Sequence, residues 1–183
     1  MSKIKKMTLS AVMCALSFVL VMVSKLIPAP WLVGGSVTLA SMVPIILTSV
    51  MLGTKWGLIT GFVFSLIQMM TGFYVPPASG FFTFAGVVFL DYIGAFTILG
   101  LAGFFAKRIG NRLFAVPLSG VIVTSMRYVF HIISGILIWG AIADTDSIPI
   151  YSIVYNGSYM IPEIIITAVV LSVVSPRIMK SKK

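Results

Sequence analysis

The chain has 183 residues, 59% of them hydrophobic and only 9% charged, and its mean hydropathy of +1.12 lies far outside what the core of a soluble domain of this size requires. A soluble fold is excluded. The net charge of +9 is not the footprint of a nucleic-acid binder, because the basic residues stand at segment ends and never form a patch interleaved with aromatics.

Apolar runs broken by Pro, Gly and charge predict an all-α membrane protein, a six-transmembrane-helix bundle forming one domain over residues 1–183, with helices near 7–27, 36–52, 56–73, 81–106, 113–141 and 150–175. At about 20 residues per crossing, no extramembrane domain fits. The first run follows Lys3, Lys5 and Lys6 as a signal peptide would, but its apolar core is too long and Pro28-Ala29-Pro30 is a poor cleavage site, so a retained helix is expected. Within it Ala11 and Ala15 form a small-residue step suited to close helix approach, and Cys14, the single cysteine, reads as a small buried residue. The second and third runs are the shortest, and the tight break at Gly53-Thr54-Lys55 predicts a helical hairpin. Gly57 and Gly61 on the third run read as packing residues.

The fourth run carries Asp91 and Tyr92 as an acid–aromatic pair. The fifth sets Arg127, His131, Gly135 and Trp139 at successive i, i+4 steps, one stripe along a helix. The sixth carries Tyr151, Tyr155, Asn156, Tyr159 and Glu163, with Asn156, Tyr159 and Glu163 on one face. Lys3, Lys5, Lys6, Lys55, Lys107, Arg108, Arg112, Arg177, Lys180, Lys182 and Lys183 fall on one side of a six-helix arrangement, which predicts that both termini are cytoplasmic. Lys25, the 31–35 loop, Pro76-Pro77 and the loop with Asp144 and Asp146 take the other side.

Charge at bilayer depth costs a few kcal/mol on insertion scales and is retained for a cavity or a partner. A carboxylate, several aromatics, an amide and a histidine on the outer half suit a flat, aromatic, cationic ligand: the carboxylate answers the charge, and each aromatic face adds about 0.5–2 kcal/mol of cation–π attraction. Plainer readings stand beside this one. Asp91 and Arg127 read equally as a buried structural pair, His131 as a helix-to-helix hydrogen-bonding residue, Trp31, Trp139 and Tyr151 as interfacial belt aromatics, and Glu163 as a structural group answering a neighbouring helix. No phosphate-binding Gly-x-x-x-x-Gly-Lys-Ser/Thr loop, nucleophile elbow or metal-ligand spacing occurs, so no catalytic, metal or cofactor site is expected. An intramembrane enzyme using Asp91 and His131 as acid and base would lack a nucleophile or metal ligand, and an autonomous carrier would lack an internal repeat.

The chain resembles the substrate-binding S components of energy-coupling-factor (ECF) vitamin transporters, and within them the thiamine-specific group. The resemblance rests on Gly-Gly-Ser-Val at 34–37, Pro44-Ile45, Leu-Asp-Tyr-Ile at 90–93, Arg-Tyr-x-x-His-x-x-Ser-Gly at 127–135 and Tyr-Ser-x-x-Tyr-Asn at 151–156, in order along nearly the whole chain. It implies a membrane subunit with an outward pocket walled by helices four to six and covered by the loop between helices one and two, binding thiamine or another small heterocycle such as hydroxymethylpyrimidine or riboflavin. It further implies that Asp91 meets the aminopyrimidine, that Tyr92, His131, Gly135, Trp139, Tyr151, Asn156 and Trp31 complete the site, and that Ala11 and Ala15 dock onto a transmembrane coupling subunit served by two ATPases. Asp91 stands where some relatives carry Glu.

Overall fold

The structure, a computed structural model, describes residues 1–26, 37–110 and 114–180. Trp31 lies outside the described residues, as do Gly34, Gly35 and Ser36. Among the described residues there are six helical segments and no strand. They are α1 (Lys3–Ser24), α2 (Val43–Leu52), α3 (Thr54–Gly72), α4 (Phe81–Ile109), α5 (Ala115–Leu137) and α6 (Ile148–Lys180). Four of them, Lys3–Ser24, Phe81–Ile109, Ala115–Leu137 and Ile148–Arg177, have the length and hydropathy to cross a membrane. The 19 residues of α3 include Lys55 and Gln68, which lower its hydropathy.

The largest departure from expectation is α2, predicted from residue 36 but helical only from Val43. Pro44 stands in its first turn, where a missing N–H and a fixed φ favour helix initiation. Just upstream Ala40 takes φ 59, a left-handed conformation that turns the chain. The backbone N–H groups of Thr38 and Leu39 are claimed by the side chains of Glu163 and Ser24 in place of helical carbonyls. Ten residues of helix rise about 15 Å, half the hydrocarbon thickness, so α2 does not cross by itself.

α2 and α3 form the expected hairpin, joined through Gly53 alone, whose φ of 104 favours glycine. A Cβ on Gly57 would lie 2.3 Å from Ser49 Cβ, and one on Gly100 would lie 2.2 Å from the backbone nitrogen of Leu58. The hairpin and α4 therefore pack nearly backbone to backbone. Ser49 fastens this crossing: its hydroxyl donates to the Gly100 carbonyl and accepts from the Gly103 N–H at 2.8 Å. Ile45, Ile46, Phe64 and Leu99 are fully buried around it. Val12, Leu16, Val19 and Val23 are exposed along α1, the outward apolar face expected of a helix in lipid.

α4 is irregular. It opens as an α-helix (Phe81–Val87), widens to a π-helical turn (Val88–Gly94), returns to α (Ala95–Thr97), tightens to a 3-10 stretch (Ile98–Leu101) and ends as α (Ala102–Ile109). A π turn inserts an extra residue and re-aims the side chains it carries, here Asp91 and Tyr92. α5 stops at Leu137 and is followed by a 3-10 turn, Trp139–Ile142, shorter in α-helix than the predicted 113–141.

Candidate functional site

A cavity of about 560 Å³ opens at the end of the bundle where α1 and α3 finish and α4 and α6 begin, opposite the end that carries both termini. Asp91, Tyr92, His131, Gly135, Trp139, Tyr151 and Asn156 all line it, so seven residues singled out in the sequence meet at one void. Helices four to six do not wall it alone. Val21 and Lys25 at the end of α1, and Gln68 and Thr71 on α3, complete the lining.

Asp91 is the centre of the polar network. From the π turn of α4 its carboxylate accepts from Ser134 Oγ at 2.6 Å and Trp139 Nε1 at 3.0 Å, and its other oxygen meets His131 Nδ1 at 3.1 Å. Three donors on α5 and the turn after it thus fix an acid on α4. A carboxylate can only accept, so this contact places the proton on Nδ1 and leaves Nε2 of a neutral imidazole as an acceptor. Asp91 keeps 18% of its side-chain surface exposed, against 9% for His131, so the carboxylate remains reachable. Four lone-pair sites answer three donors, which leaves one for a ligand. The alternative pairing of Asp91 with Arg127 does not form; the basic side chain that meets Asp91 is His131.

Aromatic rings make up much of the remaining wall. Tyr151 and Tyr155 stack at 5.6 Å with an interplanar angle of 22°, Tyr155 meets Tyr159 edge-on at 6.3 Å, and Tyr159 meets His131 edge-on at 5.9 Å. Tyr92 stacks on Phe73 at 5.4 Å. Its hydroxyl is engaged at the cavity mouth, donating to the Gly72 carbonyl at 2.8 Å and accepting from the Tyr74 N–H at 2.9 Å. Tyr92 therefore anchors the segment that brings Tyr74 into the lining.

Two of the lining residues also join helices to one another. Gly135 lines the cavity, and a Cβ there would sit 2.1 Å from Ser152 Oγ, so its lack of a side chain admits helix α6. Asn156 lines the cavity as well; its Nδ2 donates to the Ser152 carbonyl at 2.9 Å and the His131 carbonyl at 3.2 Å, while its Oδ1 accepts from the Tyr159 hydroxyl. Its amide joins α5 to α6 and fixes the Tyr159 ring beside His131. Ala11 and Ala15 lie far from the cavity, on an exposed face of α1.

Arg127 lies at the inner end of the cavity, its guanidinium 4.2 Å over the Phe96 ring and Nη1 2.9 Å from Met42 Sδ. Gln68, Thr71 and Phe96 were not singled out from the sequence. Gln68 alone had a readable signal, an amide within an otherwise apolar run.

Residues 7–182 match the model of the thiamine transporter protein family. The chain is 36% identical to the thiamine transporter ThiT of Bacillus subtilis (strain 168), over 82% of this chain and 81% of that protein. Its fold matches the solved structure of ThiT from Listeria monocytogenes with a TM-score of 0.75 at 21% identity, covering 97% of each chain. At that identity the likeness concerns the fold. The family is one of transporters, not enzymes. This chain, a multi-pass membrane protein, belongs to the thiamine transporter protein family.

Proposed function

We propose that this chain is the substrate-binding S component of an ECF-type importer in the cell membrane, and that it holds thiamine in the cavity around Asp91. The observation that carries this reading is a reachable carboxylate, held by three donors inside an aromatic-walled void. Thiamine pairs a permanently positive thiazolium ring with a flat aminopyrimidine. Asp91 answers the amino group or the positive charge, while Trp139, Tyr151 and the His131 ring supply faces and edges for stacking. Tyr92, Gly135 and Asn156 serve by holding those groups; Trp31, which the resemblance adds to the site, lies outside the described residues.

The positive-inside rule supports the orientation. Lys3, Lys5, Lys6, Lys55, Lys107, Arg108 and Arg177 belong to the end of the bundle away from the cavity, which makes both termini cytoplasmic and the cavity mouth extracellular. The exposed Ala11 and Ala15 give a flat strip for a transmembrane coupling subunit, which two ATPases would energise.

Purified protein in detergent should bind thiamine in an equilibrium titration followed by tryptophan fluorescence, since Trp139 lines the cavity. Hydroxymethylpyrimidine and riboflavin should compete only weakly. No binding at micromolar thiamine, or displacement of thiamine by riboflavin at equal concentration, would reject this reading. Ala11→Trp should leave binding intact and abolish uptake in cells; uptake that persists without partner ATPases would instead favour an autonomous carrier.

A further inference from the structure

Among the described residues two amides line the cavity, and they differ. Asn156 commits its amide to the carbonyls of Ser152 and His131 and to the Tyr159 hydroxyl. Gln68, half-buried on α3, commits its amide to nothing: Oε1 is buried without a hydrogen-bond partner, and Nε2 donates to no described residue. Its neighbours Leu66, Ile67, Met69 and Met70 are apolar, and Thr71 returns its hydroxyl to the Ile67 carbonyl at 3.0 Å. An amide withdrawn from water with no partner destabilises the fold that carries it. Gln68 is therefore a cost to the bundle by itself, which a ligand in the cavity would offset.

Gln68 stands one helical turn before Gly72, whose carbonyl accepts from Tyr92 Oη at 2.8 Å. Met69 and Phe73 pack with Val87, Tyr92 and Ile138, so this stretch of α3 lies along the π turn that carries Asp91. Asp91, a carboxylate, can only accept, whereas Gln68 has a neutral donor uncommitted. Lys25 and Arg127 also line the cavity, but both are cations, which repel a positively charged ligand; an amide donates without that repulsion. We propose that Gln68 is a ligand-binding residue: its amide donates to a pyrimidine ring nitrogen of thiamine while Asp91 accepts from the amino group on the same ring. The inference rests on the reading that the cavity holds thiamine. It gives the site two-point recognition of the pyrimidine edge, with an acceptor from α4 and a donor from α3.

The competing view makes Gln68 a residue of the fold alone. Q68M separates the two, because methionine keeps the length of the side chain and removes the amide. Thiamine, and the two analogues of it in which CH replaces one or the other pyrimidine nitrogen, would be titrated into detergent-solubilised wild type and Q68M. Thermal midpoints would be taken without ligand. Q68M should bind thiamine about tenfold more weakly than wild type, yet its unliganded midpoint should be equal or higher, because an unpartnered amide is gone. For one of the two analogues the difference between wild type and Q68M should shrink to less than about threefold, since the nitrogen that met the amide is missing. That analogue should also bind wild type about tenfold more weakly than thiamine, a result independent of how Q68M folds. Wild-type affinity in Q68M, a lowered unliganded midpoint, the same loss in Q68M for both analogues, or wild type binding both analogues as tightly as thiamine would each overturn the proposal. Absence of thiamine binding by wild type would remove the functional reading, and this inference with it.

Discussion

The two ends of the bundle use buried polar groups in different ways. At the α2–α3 hairpin, Thr48 and Thr60 return their hydroxyls to carbonyls of their own helices, and Ser49 mends the backbone of α4, so polarity there serves packing. At the cavity end, Asp91 collects three side-chain donors from outside its own helix, within a π turn that departs from ideal helix geometry. Close packing at one end leaves room only for hydrogen where Gly57 and Gly100 stand; at the other a void of about 560 Å³ persists. A rigid crossing that cannot yield supports a site whose polar groups are held ready in advance.

Substitutions at the two ends should separate stability from binding. Gly100→Ala has the largest expected effect: its Cβ would meet the backbone of Leu58, and forcing the helices apart should cost about 3 kcal/mol, seen as a lower thermal midpoint. Thiamine affinity of the fraction that remains folded should be nearly unchanged. Asp91→Asn should do the reverse, weakening thiamine about 100-fold, or about 2.7 kcal/mol, in a protein that remains folded. Trp139→Ala removes one donor to Asp91 and an aromatic face, and a loss of about tenfold in the same titration is expected. Tyr128→Phe, which deletes an exposed bond to the Ile153 carbonyl, should change stability by less than about 1 kcal/mol and binding not measurably. Equal loss of affinity in Gly100→Ala and Asp91→Asn would mean that the two ends are not separate in function.

Helix number and the α2–α3 hairpin were legible because apolar runs and the Gly53 break are local signals. The meeting of Asp91, His131 and Trp139 was legible for a different reason: an acid in a membrane span needs company, and the i, i+4 stripe on the fifth helix offered it. Periodicity gives the face of a helix but not which neighbour that face meets. The contact of Gly135 with Ser152 on α6 was therefore not legible. Nor were the bonds from the Asn156 amide to the carbonyls of Ser152 and His131. The late start of α2 depends on Glu163 claiming the Thr38 N–H across 125 residues of sequence, a contact with no local signature. The walls from α1 and α3 were missed because Val21 and Thr71 are unremarkable in an apolar helix.

A structure of the protein with thiamine bound tests the central claim most directly. The account predicts the vitamin inside the cavity, with Asp91 within hydrogen-bonding or ion-pairing distance of the aminopyrimidine or thiazolium and with Trp139 and Tyr151 against its rings. Thiamine bound elsewhere on the bundle, or in the cavity with Asp91 turned away from it, would contradict the account.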